Sequence, residues 1–178
     1  MMSAQHLKDW VRDYFEDIDA PWYALPLVVS VVVVLHLAFS HITLSPYESV
    51  KPSLLWKISR APETGDYVTF KHSHPLITQK AEAWIKVLAC KEGQLLQRID
   101  DRFYCDGQFF AKARFKSKAN RDLPQFYFEG IIPNNKAFVL GDGRNSFDSR
   151  HFGFVDYDIM TTNIELLPGP FASSAKAE

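Results

Sequence analysis

The chain reads as a mainly-β domain tethered by one N-terminal transmembrane helix. Three observations predict this: an uncharged apolar stretch near the N-terminus, a succession of short aromatic or β-branched runs beyond it, and little helical periodicity after Arg60. With 178 residues, the chain holds one domain of ordinary size once the apolar segment is set aside. Its 20 basic and 21 acidic side chains leave a net charge of -1, which argues against nucleic acid as a partner and leaves recognition to local geometry.

The elements follow in order. Residues 1–20 form a cytoplasmic N-terminal segment in which 5–18 can make a short amphipathic helix, with Leu7, Trp10, Val11 and Phe15 near one face. Residues 21–41 are the transmembrane helix. No charged residue occurs between Asp19 and Glu48, and the run from Trp22 to Phe39 approaches the roughly 20 apolar residues that a bilayer crossing needs. Trp22 and Tyr23 suit the interface. A cleavable signal peptide is the rival reading, with Ala38-Phe39-Ser40 as the site, but the segment before the apolar run is long and net acidic, which favours an uncleaved anchor. The valine run is too long for an ordinary buried strand. Lys8 and Arg12 precede the span while Lys51, Lys57 and Arg60 follow it, so the positive-inside rule does not orient it.

Residues 42–170 make up the β-domain. Tyr67–Phe70, Trp84–Ala89, Arg102–Cys105 and Ala137–Leu140 read as strands separated by Gly, Pro, Asn or Asp, and residues 94–104 as two short strands around the Asp100-Asp101 turn. Residues 171–178 are a flexible tail. Cys90 and Cys105 are the only cysteines, an even count that fits one disulfide in an oxidising compartment; two buried thiols are the alternative.

Several constellations carry less. His72 and His74 could share a strand face and bind a metal, but no carboxylate or cysteine stands at ligand spacing, so they read as exposed loop histidines. His151 and Asp148 suggest a triad with a serine, and no phosphate-binding glycine loop of the Walker kind is present. Lys112, Arg114, Lys116, Lys118 and Arg121 read as a hairpin facing solvent or lipid headgroups.

The most informative stretch is Asn145–Gly153. Ser146, Asp148 and Arg150 alternate there, and on an extended segment they would face one side together. Upstream lie Ser49-Val50-Lys51-Pro52-Ser53-Leu54 and Lys86, seven residues before Gly93. A serine hydroxyl needs a neighbouring base, and an unperturbed lysine, with a pKa of about 10.4, is protonated at neutral pH. Burial lowers that value, and Lys86 lies in an apolar run in which Trp84 and Leu88 would share its strand face. Taken alone, Lys86 also suits an exposed edge strand, and Ser49 a solvated turn.

In order and spacing these motifs resemble the type I signal peptidase family, in particular its conjugative-transfer, TraF-type branch. The similarity covers most of the chain after Ile42. It implies a signal-peptidase-like β-domain in which Ser49 is the nucleophile and Lys86 the base. Ser146 would orient the amine, and Asp148 and Arg150 would form a supporting salt bridge, with Ser149 left to a turn and His151 in place of a family aromatic residue. Gly141 and Gly153 would ease the backbone of this loop. Departures fall at Tyr47, where some members have a hydroxyl for the oxyanion, and at Glu92 and Gln94 beside Gly93.

The resemblance further implies a serine endopeptidase that needs no cofactor or metal, anchored in the inner membrane with its domain on the extracytoplasmic side. Its partners would be the bilayer, a pre-protein or pilin precursor that is hydrolysed or cyclised, and components of a conjugative secretion apparatus. A housekeeping signal peptidase and an inactive membrane-tethered scaffold are the alternative readings.

Overall fold

A computed structural model describes Gln5, residue 21 and residues 23–45, 50–143 and 145–168. The expected amphipathic helix, the C-terminal tail, and Tyr47 and Ser49 of the first motif lie outside the described residues. The chain divides between Ser40 and His41 into two units.

The first unit contributes nearly all of helix α1, Ala24–His41, which has no buried residue and a mean hydropathy of 2.1. At a rise of about 1.5 Å per residue it is about 27 Å long, close to the hydrocarbon thickness of a bilayer. Its two serines are satisfied internally: the Ser30 hydroxyl donates to the Pro26 carbonyl and the Ser40 hydroxyl to that of Leu37, both at 2.7 Å. Such pairing is what a polar group needs in lipid.

The second unit is built from antiparallel strands. β1 (Ile42–Leu44), β2 (Pro52–Ile58), β3 (Tyr67–His74), β4 (Thr78–Lys91), β9 (Lys136–Leu140), β10 (Val155–Asp156) and β11 (Thr161–Pro168) form one sheet in the order β1-β2-β11-β3-β4-β9-β10. A smaller sheet, ordered β7-β6-β5-β8, comprises β5 (Leu95–Ile99), β6 (Arg102–Cys105), β7 (Gln108–Lys112) and β8 (Gly130–Ile131). The fold is therefore mainly β with one N-terminal apolar helix, as the sequence predicts.

Local chemistry explains the hairpins. Asp106 and Gly107 both take positive φ, 48° and 79°, between Cys105 and Gln108, which is the two-residue turn that Asp-Gly favours because its twist matches the flanking strands. Asp100, with φ of 56°, opens the corresponding turn between Ile99 and Arg102. The strand readings hold at their centres and fall short at their ends, most of all in β4, where polar residues 78–82 extend the apolar run. β2 and β11 were not legible as strands, since they lack the clean alternation that a half-buried sheet produces.

One correction concerns His72 and His74, which lie on β3 and not in a loop. His72 is half-buried among rings, 5.0 Å from Trp84 and 4.5 Å from Phe152 between centroids. No group of three or more potential metal ligands occurs among the described residues.

Two apolar clusters fill the domain. Val68, Phe70, Leu88, Ala137 and Val139 pack on the larger sheet, while Cys90, Leu96, Phe103, Ala111 and Phe138 join the two sheets. The Cys90–Cys105 disulfide, with Cα atoms 5.9 Å apart, ties β4 to β6 through that second cluster.

Candidate functional site

β4 delivers Lys86 to the interior. Its partner is Val68 on β3, while β9 joins β4 from Val87 onward, pairing it with Leu140. Buried Lys86 and Leu88 alternate with half-buried Ile85 and Val87, so strand periodicity turns the lysine inward with 4% of its surface exposed. The Lys86 Nζ donates to the Ser146 Oγ at 2.7 Å and lies 5.7 Å from the centroid of the Trp84 ring. Burial lowers its pKa from the ordinary 10.5 to about 8, the charge of Asp148 pulling the other way, Arg150 lowering it further and Asp142 opposing.

The chain returns from β9 through Gly141–Asp148 into a single helical turn, α2, over Ser149–Phe152. This corrects the extended reading of the last motif. Asp148 caps the turn, accepting from the Arg150 backbone N–H, and the turn brings the Arg150 side chain back over its cap. Arg150 donates through Nε to Asp148 Oδ1 at 2.8 Å and through Nη2 to Oδ2 at 2.7 Å, a two-pronged ion pair with Asp148 fully buried. Its Nη1 also reaches the Lys112 carbonyl at 2.9 Å. The Gly141 N–H donates to Asp148 Oδ2 at 3.0 Å, closing the loop on itself.

Ser149 lies in this turn, as the sequence reading has it, and does more than shape it: it is fully buried, and its Oγ accepts the Val139 backbone N–H at 2.9 Å, bolting α2 to β9. The His151 ring stacks on Phe147 at 5.3 Å with its Nδ1 2.9 Å from the Pro124 carbonyl, and the Asp148 carboxylate is committed to Arg150 and Gly141, so no Ser-His-Asp relay forms. Gly153 closes α2 at φ 85°, and a Cβ there would come within 3.0 Å of the Phe126 ring.

Lys86 and Ser146 form part of the wall of a cavity of about 500 Å3, which Leu44, Ser45, Trp84 and Phe147 also line. Between Thr78 and Lys86 the edge of β4 opposite β3 has no partner strand among the described residues, an edge of the kind an extended chain can pair with. Structure thus brings together Lys86, Ser146, Asp148 and Arg150. Ser49 lies outside the described residues, but Val50, next to it, is buried at 3% exposure.

The roles of two residues escaped the sequence reading. Asp142 Oδ2 accepts the Lys51 backbone N–H at 2.7 Å and the Tyr67 hydroxyl at 2.9 Å. Gln94, a departure from the expected motif, accepts the Lys91 N–H at 2.8 Å and donates to Asp106 at 2.8 Å, knitting the β4–β5 turn to the β6–β7 turn. The partners of Asp142 lie 91 and 75 residues away and leave no local signal.

Proteins of Staphylococcus aureus strains Mu50 / ATCC 700699 and N315, each named "Inactive signal peptidase IA", are 28% identical over 109 residues, which is 61% of this chain and 61% of each relative. The match thus spans under two thirds of those relatives. A crystal structure of a signal peptidase I from Enterococcus faecalis V583 aligns at 26% identity over 58% of this chain and 96% of that one, with a TM-score of 0.40. A family model described as "Signal peptidase, peptidase S26" matches residues 20–166, and the chain belongs to that family.

Proposed function

We propose that this protein is a membrane-anchored serine endopeptidase that removes leader peptides from exported proteins, with Ser49 as nucleophile and Lys86 as its base. The observation that carries this reading is Lys86 itself, a buried amine held by Ser146 in the wall of an open cavity, with a pKa of about 8. An amine of that kind has a sizeable neutral fraction near neutral pH and can accept a proton.

The Ser49 oxygen attacks the scissile carbonyl as its proton passes to Lys86. The resulting ammonium gives the proton to the leaving amine as the peptide bond breaks, and water, deprotonated by the same lysine, releases the acyl group. Ser146 keeps the amine aimed, while Asp148 and Arg150 hold the Ser146 loop. The substrate lies extended along the open edge of β4, with small residues before the cut. The substrate class is a pilin precursor of a conjugation apparatus, whose acyl group either passes to water or to the pilin's own amino terminus.

The domain lies on the extracytoplasmic side of the inner membrane, a placement supported by the disulfide, since such bridges persist in oxidising compartments. A second reading, an inactive tethered scaffold, is favoured by the name of the Staphylococcus relatives. Ser49→Ala and Lys86→Ala separate the two: each abolishes precursor processing in cells at unchanged protein abundance. Undiminished processing in either variant removes the peptidase reading, and the mass of the mature pilin tells a linear product from a circular one.

A further inference from the structure

A single carboxylate oxygen joins three distant segments of the domain. Asp142 Oδ2 receives the Lys51 N–H at 2.7 Å and the Tyr67 hydroxyl at 2.9 Å, and both bonds are partly buried. Lys51 stands two residues after Ser49. Tyr67 stands on β3, where its register partner is Val87, next to Lys86. Asp142 belongs to the loop that presents Ser146 to the lysine.

We propose that Tyr67 and Asp142 are positioning residues that latch the segment bearing Ser49 to the strand bearing Lys86. The inference rests on the peptidase reading above and adds to it the means by which nucleophile and base keep register. Bonds from N–H and O–H donors to a carboxylate are shorter and stronger than neutral ones, so this oxygen can restrain a main-chain N–H that no strand partner holds. The phenol supplies the second restraint. Burial, followed by the Asp142 charge and their hydrogen bond, raises the Tyr67 pKa, so the hydroxyl stays protonated and remains a donor. Removing it leaves the carboxylate free to turn away from Lys51.

The test uses the full chain in detergent with a fluorogenic peptide bearing Ala-x-Ala before the cut, alongside amide hydrogen exchange. Tyr67→Phe is expected to lower kcat about ten-fold with KM unchanged, because small misplacements of reacting groups act on the chemical step. Its pH profile keeps the wild-type midpoint. Asp142→Asn is expected to lower kcat about a hundred-fold and also to move that midpoint to lower pH. The reason is that Asp142 and Asp148 favour the Lys86 ammonium while Arg150 opposes it, and the variant deletes one of the favouring charges.

In both variants the Lys51 amide exchanges faster while that of Leu88 in β4 does not. Wild-type kcat and wild-type Lys51 exchange in Tyr67→Phe would overturn the latch, as would faster exchange throughout the domain, which marks a general loss of stability. If the unmodified chain leaves the peptide intact, the peptidase reading is what fails, and Lys51 exchange alone then decides the latch.

Discussion

Lys86, the proposed base, is a side chain whose burial costs stability. The residue is 4% exposed, and among the described residues its amine has a hydroxyl for a partner and no direct carboxylate contact, so burial works against its ammonium form. With a folded pKa of about 8 against an ordinary 10.5, the unfolded chain holds a proton that the folded chain lacks between those values. Stability should therefore rise with pH across that window and level off above it. The same titration governs a general base, so kcat/KM should climb through about pH 8 to a plateau, as measured with a leader peptide at constant ionic strength. Lys86→Arg should be inactive throughout, since a guanidinium cannot release its proton. A role for the lysine was legible only from the family resemblance, since its segment taken alone also suits an exposed edge strand. Nothing in its own segment indicated that Ser146, 60 residues on, would meet it.

At the scale of an element, the turn α2 is held by polar groups where the strands are held by apolar ones. Asp148, Ser149 and Arg150 are all buried, and they find their partners within the turn, on β9, in the loop from Gly141 to Ser146 and at the Lys112 carbonyl. Breaking a buried ion pair by removing one member leaves the other charge uncompensated. Arg150→Met should accordingly lower unfolding stability by about 3–5 kcal/mol in chemical denaturation, with Asp148→Asn losing less because its amide still accepts from the guanidinium. On an extended segment Ser146, Asp148 and Arg150 would face one side together. A capping aspartate followed by a short helical turn satisfies the same spacing, and the closing glycine decides between them, since φ of 85° at Gly153 ends α2 where a strand would have continued. The segment from Ala137 to Leu140 posed no such ambiguity, because its apolar residues suit a strand buried on both faces.

For the whole molecule, the proposed function requires a β-domain held at a lipid surface. Helix α1 carries no charged Asp, Glu, Lys or Arg, and β1 follows it directly at Ile42. Register then lines up Ile42, Trp56 and Ile164 in one row and Leu44, Leu54 and Leu167 in the next, and Leu44, Ile164 and Leu167 are exposed. An apolar face of this kind suits a lipid surface. The mature chain is expected to retain residues 1–41 by mass spectrometry and to stay in the membrane pellet after alkaline extraction. Val32→Lys with Val33→Lys should release it, as each charge costs about 2.5–3.5 kcal/mol at the centre of a span. A mature chain beginning near Ser40 and found in the soluble fraction would identify the segment as a cleaved leader instead.

The sequence by itself determined what depends on near neighbours: an apolar helix from its uncharged run, hairpins from Asp100-Asp101 and Asp106-Gly107, and inward-facing positions from strand alternation. Only the tertiary structure decided which groups meet. It joined Cys90 to Cys105, placed Ser146 against Lys86, bolted Ser149 to β9, and gathered Lys51 and Tyr67 onto Asp142. The physical reason is range, because backbone propensity and periodicity act over a few residues, whereas a buried polar atom must find its partner wherever the packed chain supplies one.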